Sequence, residues 1–178
     1  IPANYVNNII DSAEFQRLRR IVQTSYSPLY SAAVHNRFIH SIGVYHLGTI
    51  AAKSVFADLE KVDSVEFDVD LKRIKEVFLL ACLLHDVGHC PFSHMGEVEM
   101  DSDEVRDALI AELEGKDDIT KELLSIIKDK TKKIGAIHEQ LSCIMILVHY
   151  YNKLTNLPSE YENVNIDFDL IIRCILGI

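Results

Sequence analysis

The chain has 178 residues, 48% of them hydrophobic and 25% charged, which is the composition of one globular domain with a sizeable core. A formal charge of −9 argues against a general nucleic-acid binder, which is usually basic overall. The longest apolar run, Val77 to Leu84, is far short of the ~20 residues that cross a bilayer, and the first residues lack a secretory-signal layout. A cytoplasmic protein without a membrane partner is expected.

Apolar residues recur at helical spacing and no strict alternation persists, so the fold class reads as all-α with seven helical segments. Residues 11 to 23 open on Asp11-Ser12 as a cap and place Phe15, Leu18 and Val22 on one face. A loop containing Pro28 follows. From about 36 to 59, Arg37, His40, Val44, Leu47 and Ala51 step along one face, so Arg37 and His40 point the same way. A third helix, about 71 to 86, is stopped by Gly88 and Pro91. Further helices are expected near 102 to 114, 120 to 130, 134 to 153 and 168 to 176.

Residues 97 to 118 hold ten acids against Arg106 and Lys116, a local charge of −8 that reads as a solvated helix face with its loops. Residues 16 to 37 hold Arg17, Arg19, Arg20 and Arg37 without an acid, a positive field that a phosphate would feel. Cys82, Cys90, Cys143 and Cys174 form no CxxC pair, and three sit in apolar surroundings, which suits reduced, mostly buried thiols.

The chemistry concentrates in "LLHDVGHCPFSH", residues 83 to 94. His85 and Asp86 leave the carbonyl end of an apolar helix together, where a cation is favoured. A His-Asp pair alone is more often a capped helix end. It gains weight from His40 on a second helix and from His89, His94 and His138 as further imidazoles available to one cavity. Mixed imidazole and carboxylate donors suit manganese, iron, nickel, zinc or magnesium, and such an ion activates water and polarises phosphoryl oxygens. Arg37, one turn before His40, offers a planar fork for phosphate. On its helix His138 falls with Ile134, Leu141, Met145 and Val148, a stripe on which a histidine is usually a satisfied core residue; beside an ion it becomes a candidate proton donor, with Glu139 as an outer partner. His35, His46 and His149 read as structural. The metal reading requires His40 to lie within about 6 Å of His85, because one ion at ~2 Å bond lengths cannot span more.

"FQRLRRIVQ" (15 to 23), "HNRFIHSIGV" (35 to 44), "LLHDVGHCPFSHM" (83 to 95) and "IHEQLS" (137 to 142), in this order, resemble the HD-domain metal-dependent phosphohydrolases, most of all the deoxynucleoside triphosphate triphosphohydrolase branch. The resemblance implies an HD helical bundle with residues 1 to 178 as the front part of an incomplete catalytic domain. It implies one metal ion, occasionally two, held by His40, His85 and Asp86, with a fourth aspartate from a later helix. Arg37 and His94 would contact phosphate and Gln23 the sugar. His89 and His138 would stand near the scissile phosphate, assisted by Glu97. Water would attack the α-phosphorus of a deoxynucleoside triphosphate, releasing deoxynucleoside and inorganic triphosphate from a protein that self-associates. The alternatives are hydrolysis of another phosphoester, a nucleoside monophosphate or cyclic nucleotide, and a non-catalytic nucleotide-binding module. The sequence departs from the family pattern in residues 24 to 34, which lack the usual glycines, and in Ile39 and Cys90, where a glutamate and a glycine are common. Asp167 and Asp169 read as the start of the last helix.

Overall fold

The computed structural model describes residues 1–24, 29, 32, 34–59, 71–155 and 166–178. The described residues form helices and turns without a named strand, so the fold is all-α. Most of the loop expected around Pro28 lies outside the described residues.

An opening helix that periodicity did not signal, α1 (Ala3–Tyr5), continues as a π turn over Val6–Ile10. It buries Tyr5, Ile9 and Ile10, and the Tyr5 hydroxyl donates to the buried carboxylate of Glu76. Residues 11 to 23 are less regular than one helix. Ser12 caps α2 (Ala13–Gln16) by accepting from Phe15 N, the chain tightens to a 3₁₀ turn over Arg17–Arg20, and Ile21 is extended. Phe15 and Leu18 are buried, as the spacing requires, while Val22 is exposed.

The two helices that carry the site are α3 (Arg37–Leu59) and α4 (Leu71–Leu84), which pack on each other. On α3 the buried face is Arg37, Phe38, Ser41, Tyr45, Gly48 and Ala52, displaced from the expected stripe, and Leu47 faces solvent. Gly48 allows the close approach: a Cβ there would stand 2.9 Å from the Cys82 sulfur. Helix α4 is the central element. It buries Val77, Leu79, Leu80, Ala81, Leu83 and Leu84, and it ends at Leu84, so His85 to Gly88 form the turn that follows. After a 3₁₀ turn over Ser93–Glu97 come α5 (Ser102–Glu114) and α6 (Lys121–Lys128), capped by Asp101 and Thr120. The acids Asp103, Glu104, Asp107 and Glu114 are exposed, while Arg106, Leu109 and Leu113 face inward, so the solvated-face reading of this segment holds.

The segment expected as one helix from 134 to 153 is α7 (Ile137–Met145), a π turn over Ile146–Tyr150, and α8 (Tyr151–Thr155). A π turn adds a residue to the helical repeat and rotates the side chains that follow. The buried set is Gln140, Ser142, Cys143, Ile146, Leu147, Tyr150 and Leu154, a face that departs from the expected stripe already at Gln140 and Cys143, ahead of the π turn, and Val148 is turned out. Helix α9 (Phe168–Leu176) packs against α4 and α7 and ends on Gly177 in the left-handed conformation. Asp167 caps it by accepting from Leu170 N and also pairs with Arg73, as its place at the helix start suggested. Cys90 and Cys143 are buried, Cys82 is half-buried and Cys174 is exposed, all with free thiols. No helix among the described residues is long and apolar enough to cross a membrane.

Candidate metal and phosphate site

Helix α3 begins at Arg37 and α4 ends at Leu84, and their packing brings the first turn of one against the last turn of the other. His40 Nε2 lies 3.3 Å from His85 Nε2 and 3.5 Å from Asp86 Oδ2, while His85 Nε2 lies 3.5 Å from Asp86 Oδ1. Two donors bound to one ion at ~2.1 Å and subtending about 100° are roughly 3.2 Å apart, so this triangle has the dimensions of one ligand face. The ring of His85 is set for that role. Its Nδ1 lies 3.0 Å from the carbonyl of Cys82, to which it donates, and this leaves the Nε2 lone pair on the cavity.

Asp86 is 2% exposed and Arg37 only 3%, and Arg37 Nη1 donates to Asp86 Oδ2 at 2.7 Å. Burial raises the Asp86 pKa, but the neighbouring His85 ring and the hydrogen bond and charge of Arg37 outweigh it. The carboxyl therefore sits below the ordinary range, ionised at neutral pH. His40 is shifted down by burial against the pull of Asp86, with His85 and Arg37 adding to the shift. The donor set is thus two imidazoles with lone pairs to give and one carboxylate, which fits a borderline or hard divalent ion. Asp167 and Asp169 serve helix α9 instead: Asp169 accepts from Thr120 and Arg173.

A second cluster adjoins the first through His89. Its Nε2 faces Asp86 Oδ1 at 4.0 Å and its Nδ1 faces Glu97 Oε1 at 3.7 Å; neither ring nitrogen has a hydrogen bond, and the side chain is fully buried. Burial, then the charge of Arg37, pushes its pKa down to about 3, so His89 is a neutral imidazole at neutral pH. The His89 ring stacks on His138, with centroids 4.4 Å apart and planes 13° from parallel. Glu97 gathers the remaining imidazoles, with His94 Nδ1 at 3.0 Å and His138 Nδ1 at 3.2 Å from Oε1. These four residues also bring their donor atoms close enough to hold an ion.

Arg37 connects the clusters to the mouth. Its Nη2 donates to Ser93 Oγ and lies 3.3 Å from His94 Nε2. Since a guanidinium only donates, His94 accepts through Nε2 and carries its proton on Nδ1 toward Glu97. Ser93 takes part because Phe92 and Ser93 are both left-handed, with φ of 65° and 57°, a strained turn that presents the buried Ser93 hydroxyl to Arg37. Gln23 is drawn beside Arg37 by the pairing of residues 21 to 23 with 35 to 37: Gln23 N donates to His35 O at 3.1 Å and Arg37 N to Ile21 O at 2.8 Å. The Gln23 Oε1 is buried without a partner.

The candidate residues His40, His85, Asp86, Arg37, His89, His94, Glu97 and His138 therefore converge, with Gln23 at their edge. Glu139 does not partner His138; its carboxylate turns back to the start of α7, where Ala136 N donates to Oε2 at 2.5 Å. Two contributors went unread in the sequence, Ser93 and Ser142. The place of Ser93 between Phe92 and His94 in "PFSH" is its only signal, and Ser142, which accepts from Gly88 N, carries none.

Known proteins give this geometry its context. A putative HD domain-containing protein of Acanthamoeba polyphaga mimivirus is 31% identical across 89% of this chain and 39% of its own length. The deoxynucleoside triphosphate triphosphohydrolase SAMHD1 homolog of Dictyostelium discoideum is 40% identical over 99 residues, 55% of this chain and 18% of that protein. The crystal structure of a hypothetical protein from Aquifex aeolicus superposes on 99% of this chain and 34% of its own with a TM-score of 0.55 at 26% identity. The chain thus spans 39% or less of the length of these relatives. Residues 37–158 match the family model described as HD domain, and the chain belongs to the HD domain family.

Proposed function

We propose that this chain hydrolyses deoxynucleoside triphosphates with a divalent ion at His40, His85 and Asp86, releasing deoxynucleoside and inorganic triphosphate. The observation that carries the reading is the His40, His85 and Asp86 triangle with the Arg37 guanidinium in contact with Asp86. The substrate class is supported by the Dictyostelium relative, a deoxynucleoside triphosphate triphosphohydrolase homolog that is 40% identical over 99 residues.

An ion held there supplies positive charge where negative charge builds on the phosphoryl oxygens and makes water a better nucleophile. The remaining roles belong to the chain. Arg37 keeps Asp86 ionised, and its buried Nε, which lacks a partner, is an N–H donor for a phosphate oxygen. His94, 63% exposed, stands at the mouth beside it as the second phosphate contact. His138, whose Nδ1 lies 3.2 Å from Glu97 Oε1, is the proton donor to the departing oxygen in this reading. His89, neutral and water-excluded, is suited to a hydrogen bond with the reacting phosphoryl group. Gln23 Oε1 is an acceptor for a sugar hydroxyl. The reading includes self-association and cytoplasmic residence, checked by sedimentation and cell fractionation.

Incubation with Mn²⁺ and a panel of nucleotides tests the assignment. Inorganic triphosphate from deoxynucleoside triphosphates supports it. Orthophosphate from a nucleoside monophosphate, or a nucleoside monophosphate from a cyclic nucleotide, replaces it with a different HD hydrolase, and binding without turnover replaces it with a nucleotide-binding module.

A further inference from the structure

Val87, Gly88 and His89 lie between the candidate ligand Asp86 and the rest of the site, and the chain grips their backbone from both sides. Arg17 Nη1 donates to the His89 carbonyl at 2.6 Å and Nη2 to the Val87 carbonyl at 2.5 Å. From the other face, Gly88 N donates to Ser142 Oγ at 2.9 Å, and that hydroxyl donates to the His138 carbonyl at 2.8 Å. Any side chain at Gly88 is excluded, because a Cβ would fall 2.1 Å from Ser142 N.

The His89 ring has no hydrogen bond of its own, since both nitrogens are buried and unpartnered. Its aim between Asp86 and Glu97 is therefore fixed by its backbone and by the stack on His138. A planar fork holding two carbonyls sets the orientation of both peptide planes, which a single-point ammonium does not. Resting on the hydrolase reading above, we propose that Arg17 is a positioning residue: through the Val87 and His89 carbonyls it holds the His89 imidazole stacked on His138, and it touches no substrate itself. His40 stands on helix α3 and the Asp86 carboxylate is held by Arg37, so these ligand side chains have anchors of their own besides this clamp.

The test compares wild type with Arg17→Lys and Arg17→Ala, using Arg20→Lys, at an exposed position of the same turn, as control. Histidine labelled with ¹⁵N reports the ring nitrogens. The His89 signals are expected to shift or broaden in both Arg17 variants, to stay in place in the control, and to return when methylguanidinium is added to Arg17→Ala. Mn²⁺ affinity by titration calorimetry should stay within about threefold of wild type. The kcat for deoxynucleoside triphosphate should fall roughly 10- to 100-fold at near-constant KM, the range seen when the support behind an active-site group is lost. Unmoved His89 signals in Arg17→Lys overturn the proposal, as does a loss of Mn²⁺ binding that parallels the loss of turnover. A wild type that hydrolyses no nucleotide defeats the hydrolase reading, and the ring-nitrogen signals then decide the clamp alone.

Discussion

His40 Nε2 and His85 Nε2 stand 3.3 Å apart although 45 positions separate the two residues in the chain. Two ring nitrogens this close share one proton or face one cation. His85 gives its Nδ1 proton to the Cys82 carbonyl, so its Nε2 is an acceptor aimed at His40 and Asp86. The pair thus presents two nitrogen donors to one point beside Asp86.

Replacing members of that site separates ligation from stability. His85→Ala should abolish stoichiometric Mn²⁺, measured by mass spectrometry after desalting, with a small change in melting temperature because the ring is 27% exposed. Asp86→Ala should abolish the ion and also cost about 3–5 kcal/mol in urea unfolding, since it strands the Arg37 charge in the interior. Ion retention by either variant removes that residue from the ligand set.

Arg37→Gln tests the opposite partner. Without the guanidinium, Asp86 is a buried carboxylate facing only imidazoles, and the ion-free protein should lose about 3–5 kcal/mol. Saturating Mn²⁺ should then raise the melting temperature of the variant by more than it raises that of wild type. Equal shifts would show that arginine and ion do not share Asp86.

Two glycines predict opposite outcomes for the same change. Gly88→Ala drives a methyl into the α7 backbone and should cost about 3 kcal/mol, the upper part of the usual range for overpacking. Gly43→Ala, on an open face of α3 with nothing within 4 Å of the new carbon, should stabilise by roughly 0.5–1 kcal/mol. Denaturant midpoints for both variants check this.

Asp169 gives a pH dependence away from the site. Burial raises its pKa, but hydrogen bonds from Arg173 and Thr120 and the charge of Arg173 lower it further, so its folded value lies below the unfolded one. Its contribution is fully present above the unfolded value, about pH 4, and is lost as pH falls through the folded value. Asp169→Asn should flatten the acid limb of the stability curve below about pH 4. An unchanged slope would mean that Asp169 is no more acidic folded than unfolded.

Much of this was legible in the sequence because the informative groups are local. "HD" at the end of an apolar run, and Arg37 with His40 one turn apart, single out the triangle's members from the sequence. What escaped depends on distant or irregular backbone. The clamp of Arg17 crosses 70 positions to Val87, and no spacing rule connects an arginine with a carbonyl. From residue 140 onward the buried face runs through Gln140, Cys143, Leu147, Tyr150 and Leu154 and leaves Val148 outward; apolar residues lie on more than one face of this segment, so spacing alone does not choose the covered one. Glu139 stood next to His138 in the chain, yet neighbours on a helix diverge by about 100°, and Glu97, 41 positions away, is the carboxylate that meets the ring.

The most direct test is a crystal of this chain grown with Mn²⁺ and measured at a wavelength where manganese scatters anomalously. The account predicts one strong peak within about 2.3 Å of His40 Nε2, His85 Nε2 and an Asp86 carboxylate oxygen. A peak seated instead among His94, Glu97 and His138, or no peak at millimolar Mn²⁺, would contradict it.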